Sequence, residues 1–199
     1  MHHHIQLVGI SGSLRQRSLN THLINAVNDC LPEGVSLEII SIADIPLYNA
    51  DLDIPAVSQR PEPVNRFRDA LAKAEGIVIA SPEYNYSIPG GLKNAIDWAS
   101  RGADSPLLGK PVALMGASPG LMGTVRMQLA FLPVFQFLDM KPVHKPEVLV
   151  SQATQKFDEN GKLVDEKTLE LIKRKIQGLI QLVKELSIMQ SANSSTERK

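Results

Sequence analysis

The chain reads as a doubly wound α/β domain: a five-stranded parallel sheet in the order 2-1-3-4-5, with helices on both faces. Three observations predict it. Short apolar runs recur along the 199 residues and alternate with segments of helical apolar spacing. One of them, Ile77-Val78-Ile79-Ala80, is apolar throughout, as a central parallel strand is. The stretch Gly9-Ile10-Ser11-Gly12-Ser13-Leu14-Arg15-Gln16-Arg17-Ser18-Leu19-Asn20 joins a first strand to a first helix with the composition of an anion site. Ligands of such sheets sit outside the carboxyl ends of the strands, at the point where the strand order reverses.

The elements follow in order. Ile5 to Ile10 is the first strand, and Thr21 to Leu31 has the spacing of a helix. Val35 to Ile40 is a short strand after the turn Pro32-Glu33-Gly34. From Ser41 to Pro63 the chain is irregular and proline-rich, a long surface excursion of the kind found at functional sites and interfaces. Val64 to Ala74 is an amphipathic helix, and the third strand follows. After the loop Ser81 to Pro89, a helix runs from Gly90 or Gly91 to Ser100. Val112 to Ala117 is the fourth strand, and Thr124 to Leu138 is a long apolar helix. Lys141 to Val150 holds the last strand, whose Pro142 and Pro146 suit a sheet edge. The terminal helix, Asp165 to Leu186, repeats apolar residues at three and four: Leu169, Ile172, Ile176, Leu179, Ile180 and Val183. Residues 1–190 form one domain, and 191–199 read as a polar, flexible tail.

Composition narrows the function. Lys+Arg and Asp+Glu are both 21, so the net charge is zero. That counts against nucleic-acid or membrane-surface partners held by bulk charge. No apolar run approaches the ~20 residues of a membrane span, and no secretory signal is visible. The single cysteine, Cys30, excludes an intrachain disulfide, and a cytoplasmic location is expected. His2 to His4 read as an ordinary N-terminus, and neither His22 nor His144 has metal-ligand spacing around it, so no metal is expected.

The first loop lacks the Gly-Lys-Ser/Thr of a Walker loop, and Gly9 and Gly12 do not fit the dinucleotide fingerprint. Its hydroxyls, Arg15 and Arg17 stand at a helix N-terminus, where unpaired N–H groups and a partial positive charge favour an anion. A terminal monophosphate is the simplest fit. The loop after the third strand, Ser81-Pro82-Glu83-Tyr84-Asn85-Tyr86-Ser87-Ile88-Pro89, should then hold the rest of the ligand. Two prolines stiffen it, and two tyrosines offer flat faces to a heteroaromatic ring. Gly116-Ala117-Ser118-Pro119-Gly120 also matches the G-x-S-x-G elbow of serine hydrolases. Pro119 defeats that reading, because the residue after the nucleophile must donate its N–H to the oxyanion. Trp98 is expected to pack under the ring loop, and Asp97 and Arg101 are spaced for an ion pair.

Gly12-Ser13-Leu14-Arg15-x-x-Ser18-x-Asn20, and then Ser81 through Gly90-Gly91-Leu92-Lys93-Asn94-Ala95-Ile96-Asp97-Trp98, resemble the NADPH-dependent FMN reductase family, in its bacterial quinone and chromate reductase branch. Ile42-Ala43-Asp44-Ile45-Pro46-Leu47-Tyr48 is similar to the same branch. The resemblance covers roughly Ile5 to Leu186. It implies a flavodoxin-like fold and bound FMN. Ser11, Ser13, Leu14, Arg15, Ser18, Leu19 and Asn20 would surround the phosphate. Pro82, Glu83, Tyr84 and Asn85 would line the isoalloxazine, and Ser118, Pro119 and Gly120 would approach its pyrimidine edge. At that edge Pro119 leaves Ser118, or the N–H of Gly120 or Leu121, to make the contact. The implied activity passes hydride from NADPH or NADH through FMN to quinones, chromate, azo compounds or free flavin, with no catalytic side chain required. A flavodoxin-like electron carrier is the alternative; the neutral charge and the motifs count against it. The family, together with the apolar breadth of the helix Thr124 to Leu138, implies a homodimer or homotetramer.

Overall fold

A computed structural model describes residues 4–53 and 60–196. In chain order the main elements are β1 (Ile5–Ser11), α1 (Leu19–Asn28), β2 (Val35–Ile40), α2 (Glu62–Lys73), β3 (Gly76–Ala80) and α3 (Gly90–Ala99). They continue with β4 (Pro111–Ala117), α4 (Val125–Phe137), β5 (Lys141–Pro142), β6 (Val148–Val150) and α5 (Glu166–Thr196). All strand pairs are parallel, in the order β2-β1-β3-β4-β5, with β6 also on β4. β5 pairs with the start of β4 (Pro111 with Lys141) and β6 with its end (Ala117 with Val150). The last strand is therefore one edge strand in two pieces, broken where the prolines remove ladder donors.

The sheet separates two apolar layers. Leu23, Ile24 and Val27 of α1 and Ile172, Ile176 and Leu179 of α5 cover one face. Phe67 and Leu71 of α2, Leu92 and Ile96 of α3, and Met127 and Phe131 of α4 cover the other. Along β1, Ile5 and Leu7 serve the first layer and Val8 and Ile10 the second. Period-two alternation between two dry faces explains why the central strands are apolar throughout.

Boundaries moved where a local signal was outweighed. α1 starts at Leu19 because the Ser18 hydroxyl accepts from the N–H groups of Asn20 and Thr21 as an N-cap. α5 does not end at Leu186 but runs on to Thr196, through a stretch with neither glycine nor proline to stop it. Residues 197–199 of the expected tail, and His2 and His3, lie outside the described residues. His4 Nε2 lies 2.9 Å from Ser36 Oγ.

Lys175 of α5 is 2% exposed, and its ammonium donates to the carbonyls of Val143 and His144 between β5 and β6. Burial pushes its pKa down to about 8, with nearby Glu147 opposing the shift and Lys145 adding to it. A lysine lowered in the folded state releases its proton there before the unfolded chain does. The unfolded chain then holds more protons between about pH 8 and the ordinary lysine value, so stability rises with pH across that window. Thermal unfolding of the wild type and of Lys175→Met checks this. The wild type should gain Tm relative to the variant from pH 8 to 10.

Candidate active site

The carboxyl ends of β1, β3 and β4 bring three loops to one edge of the sheet. The first, between β1 and α1, is built around its own hydroxyls. Ser11 Oγ lies 2.9 Å from Thr21 Oγ1 and accepts from the N–H of Ser13. Ser13 Oγ accepts from the N–H of Arg15. Gly12 donates to Ala80 O at 2.8 Å, and a Cβ there would lie 2.8 Å from Ser81 Cβ. The first loop therefore presses against the second, and only glycine permits the approach.

Among the described residues, no protein group accepts from the N–H groups of Leu14, Gln16 or Arg17, and neither Arg15 nor Arg17 has a carboxylate partner. Free main-chain donors and two unpaired cations at the start of a helix are the chemistry a phosphate needs. A cleft of about 250 Å³ opens here, lined by Ser11, Ser13, Leu14 and Arg15 against Ser41 and Ala43.

Three members of the expected phosphate set have other work in the scaffold. Asn20 is 3% exposed; its amide donates to Ala117 O at 3.0 Å and accepts from Ala117 N–H at 2.8 Å. Its side chain does not face the cleft but ties α1 to the end of β4. Ser18, 2% exposed, is the N-cap. Leu19 packs against the core, whereas Leu14 is 61% exposed at the loop tip.

The second loop turns tightly at Tyr84-Asn85-Tyr86-Ser87. Tyr84 N–H donates to Ser87 O at 3.1 Å, and Ser87 N–H returns a bond to Tyr84 O at 2.9 Å. Asn85 and Tyr86 have φ of 49° and 64°, the signature of a type I′ turn. Asparagine tolerates that conformation and tyrosine resists it. The Arg126 guanidinium lies 4.0 Å from the centre of the Tyr86 ring and helps to hold it. Pro82 is half-buried, Tyr84 and Asn85 are exposed, and the N–H groups of Glu83 and Asn85 have no acceptor among the described residues. These are free donors beside a flat aromatic face, which fits the edge of a flavin. The main chain of Glu83 stays available to a ring, while its side chain turns elsewhere. Its carboxylate faces α4 and accepts from the N–H groups of Arg126 and Met127 at 2.9 and 3.1 Å.

In the third loop, Ser118 N–H donates to Val150 O and its carbonyl accepts from Ala153 N–H, which pins the loop to β6. Gly120 N–H donates to Ser118 Oγ at 3.1 Å. Of the expected ring-edge donors, the Leu121 N–H and the Ser118 hydroxyl remain. Pro119 and Gly120 are exposed beside Leu121, itself 77% exposed.

Around the loops, Asp97 pairs with Lys93 at 2.6 Å rather than with Arg101, which lies over the Tyr48 ring. Trp98 is fully buried and donates its indole N–H to Pro46 O. It therefore anchors the excursion after β2. Asn94, which sequence reasoning missed, donates to the same carbonyl and accepts from Tyr48 N–H. His22 packs near Phe157, with ring centroids 6.1 Å apart, and no metal-binding group of three side chains exists among the described residues. Cys30 is half-buried, and burial raises its thiol pKa, so it is no ready thiolate.

A loop with free main-chain donors and unpaired cations, and a stiff aromatic loop, stand on either side of the switch point of a flavodoxin-like fold. Residues 5–155 match the family model described as NADPH-dependent FMN reductase. The chain is 45% identical to an NAD(P)H-dependent FMN reductase of Pseudomonas aeruginosa, covering 88% of this chain and 93% of that one. It is 40% identical to a quinone reductase of Escherichia coli, covering 83% and 88%. Its fold matches the flavoenzyme NAD(P)H:(acceptor) oxidoreductase of Paracoccus denitrificans with a TM-score of 0.81 at 29% identity, covering 91% and 98%. The chain belongs to the NADPH-dependent FMN reductase family. It is an oxidoreductase with FMN as its cofactor and NAD(P)H as its electron donor, which sets aside the carrier without its own NAD(P)H oxidation.

Proposed function

We propose that the enzyme reduces quinone-type acceptors with NADPH or NADH, and that the three loops described hold its FMN. The observation that carries this reading is the ring loop. It is fixed at both ends, keeps main-chain donors free, and turns Tyr84 and Tyr86 outward at 47% and 69% exposure. The exposed Tyr84 ring offers a flat face to molecules that arrive and leave in turn. Relatives named quinone reductase, which match 78% to 83% of the chain, support the acceptor class. Chromate, azo compounds and free flavin belong to the wider acceptor range.

FMN, when bound, supplies two-electron redox chemistry between nicotinamide and acceptor. The protein's residues bind and position. Arg15 and the helix dipole of α1 would offset the phosphate charge, and Ser13 would hydrogen-bond to it. The Pro82–Asn85 main chain would hold the ring, with Ser118 and the N–H of Leu121 as its further donors. This chemistry requires no side-chain acid, base or nucleophile.

Arg15→Ala should weaken FMN binding about tenfold or more, because a charge-assisted contact to phosphate is lost. Titration of apoprotein by flavin fluorescence measures this, and an unchanged Kd removes Arg15 from the site. Steady-state NADPH oxidation tests the function itself. Turnover should accelerate when a soluble quinone is added; a rate that no quinone changes would exclude that acceptor class.

The enzyme works as a homodimer or homotetramer in the cytoplasm, where NADPH and NADH are available. On α4, Leu129, Leu132 and Phe137 are 59%, 45% and 77% exposed while Met127, Phe131 and Phe135 face the core. An outward apolar face of this kind supports self-association. Light scattering on the eluting protein gives the state directly, and a monomeric mass would refute this assignment.

A further inference from the structure

We propose that Glu83 is a positioning residue that makes the ring loop and α4 one mechanical unit. The inference rests on the flavin reading above. Helix α4 lacks a local cap: Thr124 stands at the N-cap position, yet its side chain bonds to none of the first-turn N–H groups. Its hydroxyl is instead buried and unpartnered beside Gly116. Met127 stands where a capping box needs Glu or Gln. The missing acceptor comes from 43 residues away. One oxygen of Glu83 accepts from both Arg126 N–H and Met127 N–H, and the other lies 3.4 Å from the Arg126 guanidinium. The Glu83 side chain is 10% exposed, so these bonds are shielded from water.

The same arginine covers Tyr86, one of the two residues held at positive φ in the turn. Glu83 therefore fixes the loop from the carboxylate end, and Arg126 fixes its tip. The main-chain donors at Glu83 and Asn85 lie between these two anchors. A carboxylate at a helix N-terminus is favoured by the helix dipole, which makes the clasp stronger than a neutral cap. Removal of Glu83 frees the loop but need not unwind α4, because Met127, Phe131 and Phe135 hold the helix in the core.

The test compares wild type, Glu83→Ala and Glu83→Asp; aspartate keeps the charge but is one methylene too short to reach both N–H groups. Amide exchange of the apoprotein and Kd for added FMN are the readouts. The expected result is faster exchange at residues 84–87 and a Kd raised about tenfold for Glu83→Ala. Glu83→Asp should fall between it and wild type. A purely structural role would lower Tm and leave both the loop exchange and the Kd of the folded protein unchanged. That result, in whichever variant folds, overturns the proposal. Wild-type protein that binds no FMN would instead overturn the flavin reading, while the exchange data would still judge the clasp.

Discussion

Gly116→Ala should destabilise the protein by about 3 kcal/mol, at the upper end of overpacking effects, because the obstruction is backbone. A Cβ on Gly116 would overlap the Thr124 hydroxyl and the carbonyl oxygen of Ser81. Thr124 is fully buried and cannot swing outward, and the Ser81 carbonyl belongs to the chain leaving β3. Relief requires β3 and β4 to part at the carboxyl edge, where the ring loop and third loop begin. Tm should therefore fall by about 10 °C for a domain of this size, and FMN binding should weaken with it. Gly90→Ala is the control. A Cβ there meets nothing within 4 Å, and the residue begins α3. It should be neutral or stabilising by up to about 1 kcal/mol. Urea unfolding of the three proteins measures this, and equal midpoints would contradict the packing described.

Asn20→Ala should be comparably damaging for a different reason. The Asn20 amide supplies a donor and an acceptor to the two main-chain groups of Ala117. Alanine leaves a buried N–H and a buried C=O without partners, at about 1–3 kcal/mol for each. The total expected loss is about 3 kcal/mol in urea unfolding. FMN affinity should fall as well, although the amide faces away from the cleft, because α1 loses its reference to β4. Wild-type stability in this variant would show that Asn20 does not tie the two elements together.

These two residues mark where the sequence could be read and where it could not. The strands were visible because two dry faces require uninterrupted apolar runs, and the loops were visible because ligand sites follow strand ends. Asn20 reads from its position as a phosphate-loop residue, but it lies in the first turn of α1 and its partner is 97 residues on. The Glu83–α4 clasp spans 43 residues, and Asn94 reaches back 46 to Tyr48. No local pattern records such pairings, since a polar side chain in a ligand loop looks the same whether it faces the ligand or the scaffold. Thr124 without an acidic residue three positions later was the one available hint that α4 draws its cap from elsewhere. On α3, spacing paired Asp97 with Arg101. Aromatic contact drew Arg101 to Tyr48 and left the ion pair to Lys93.

The most direct test of the central claim is an absorbance spectrum of the purified protein, loaded with FMN and titrated with NADPH under nitrogen. The flavin bands should bleach on NADPH addition and return when a quinone is admitted. Protein that retains no FMN, or bound flavin that neither NADPH nor NADH can reduce, would contradict the account.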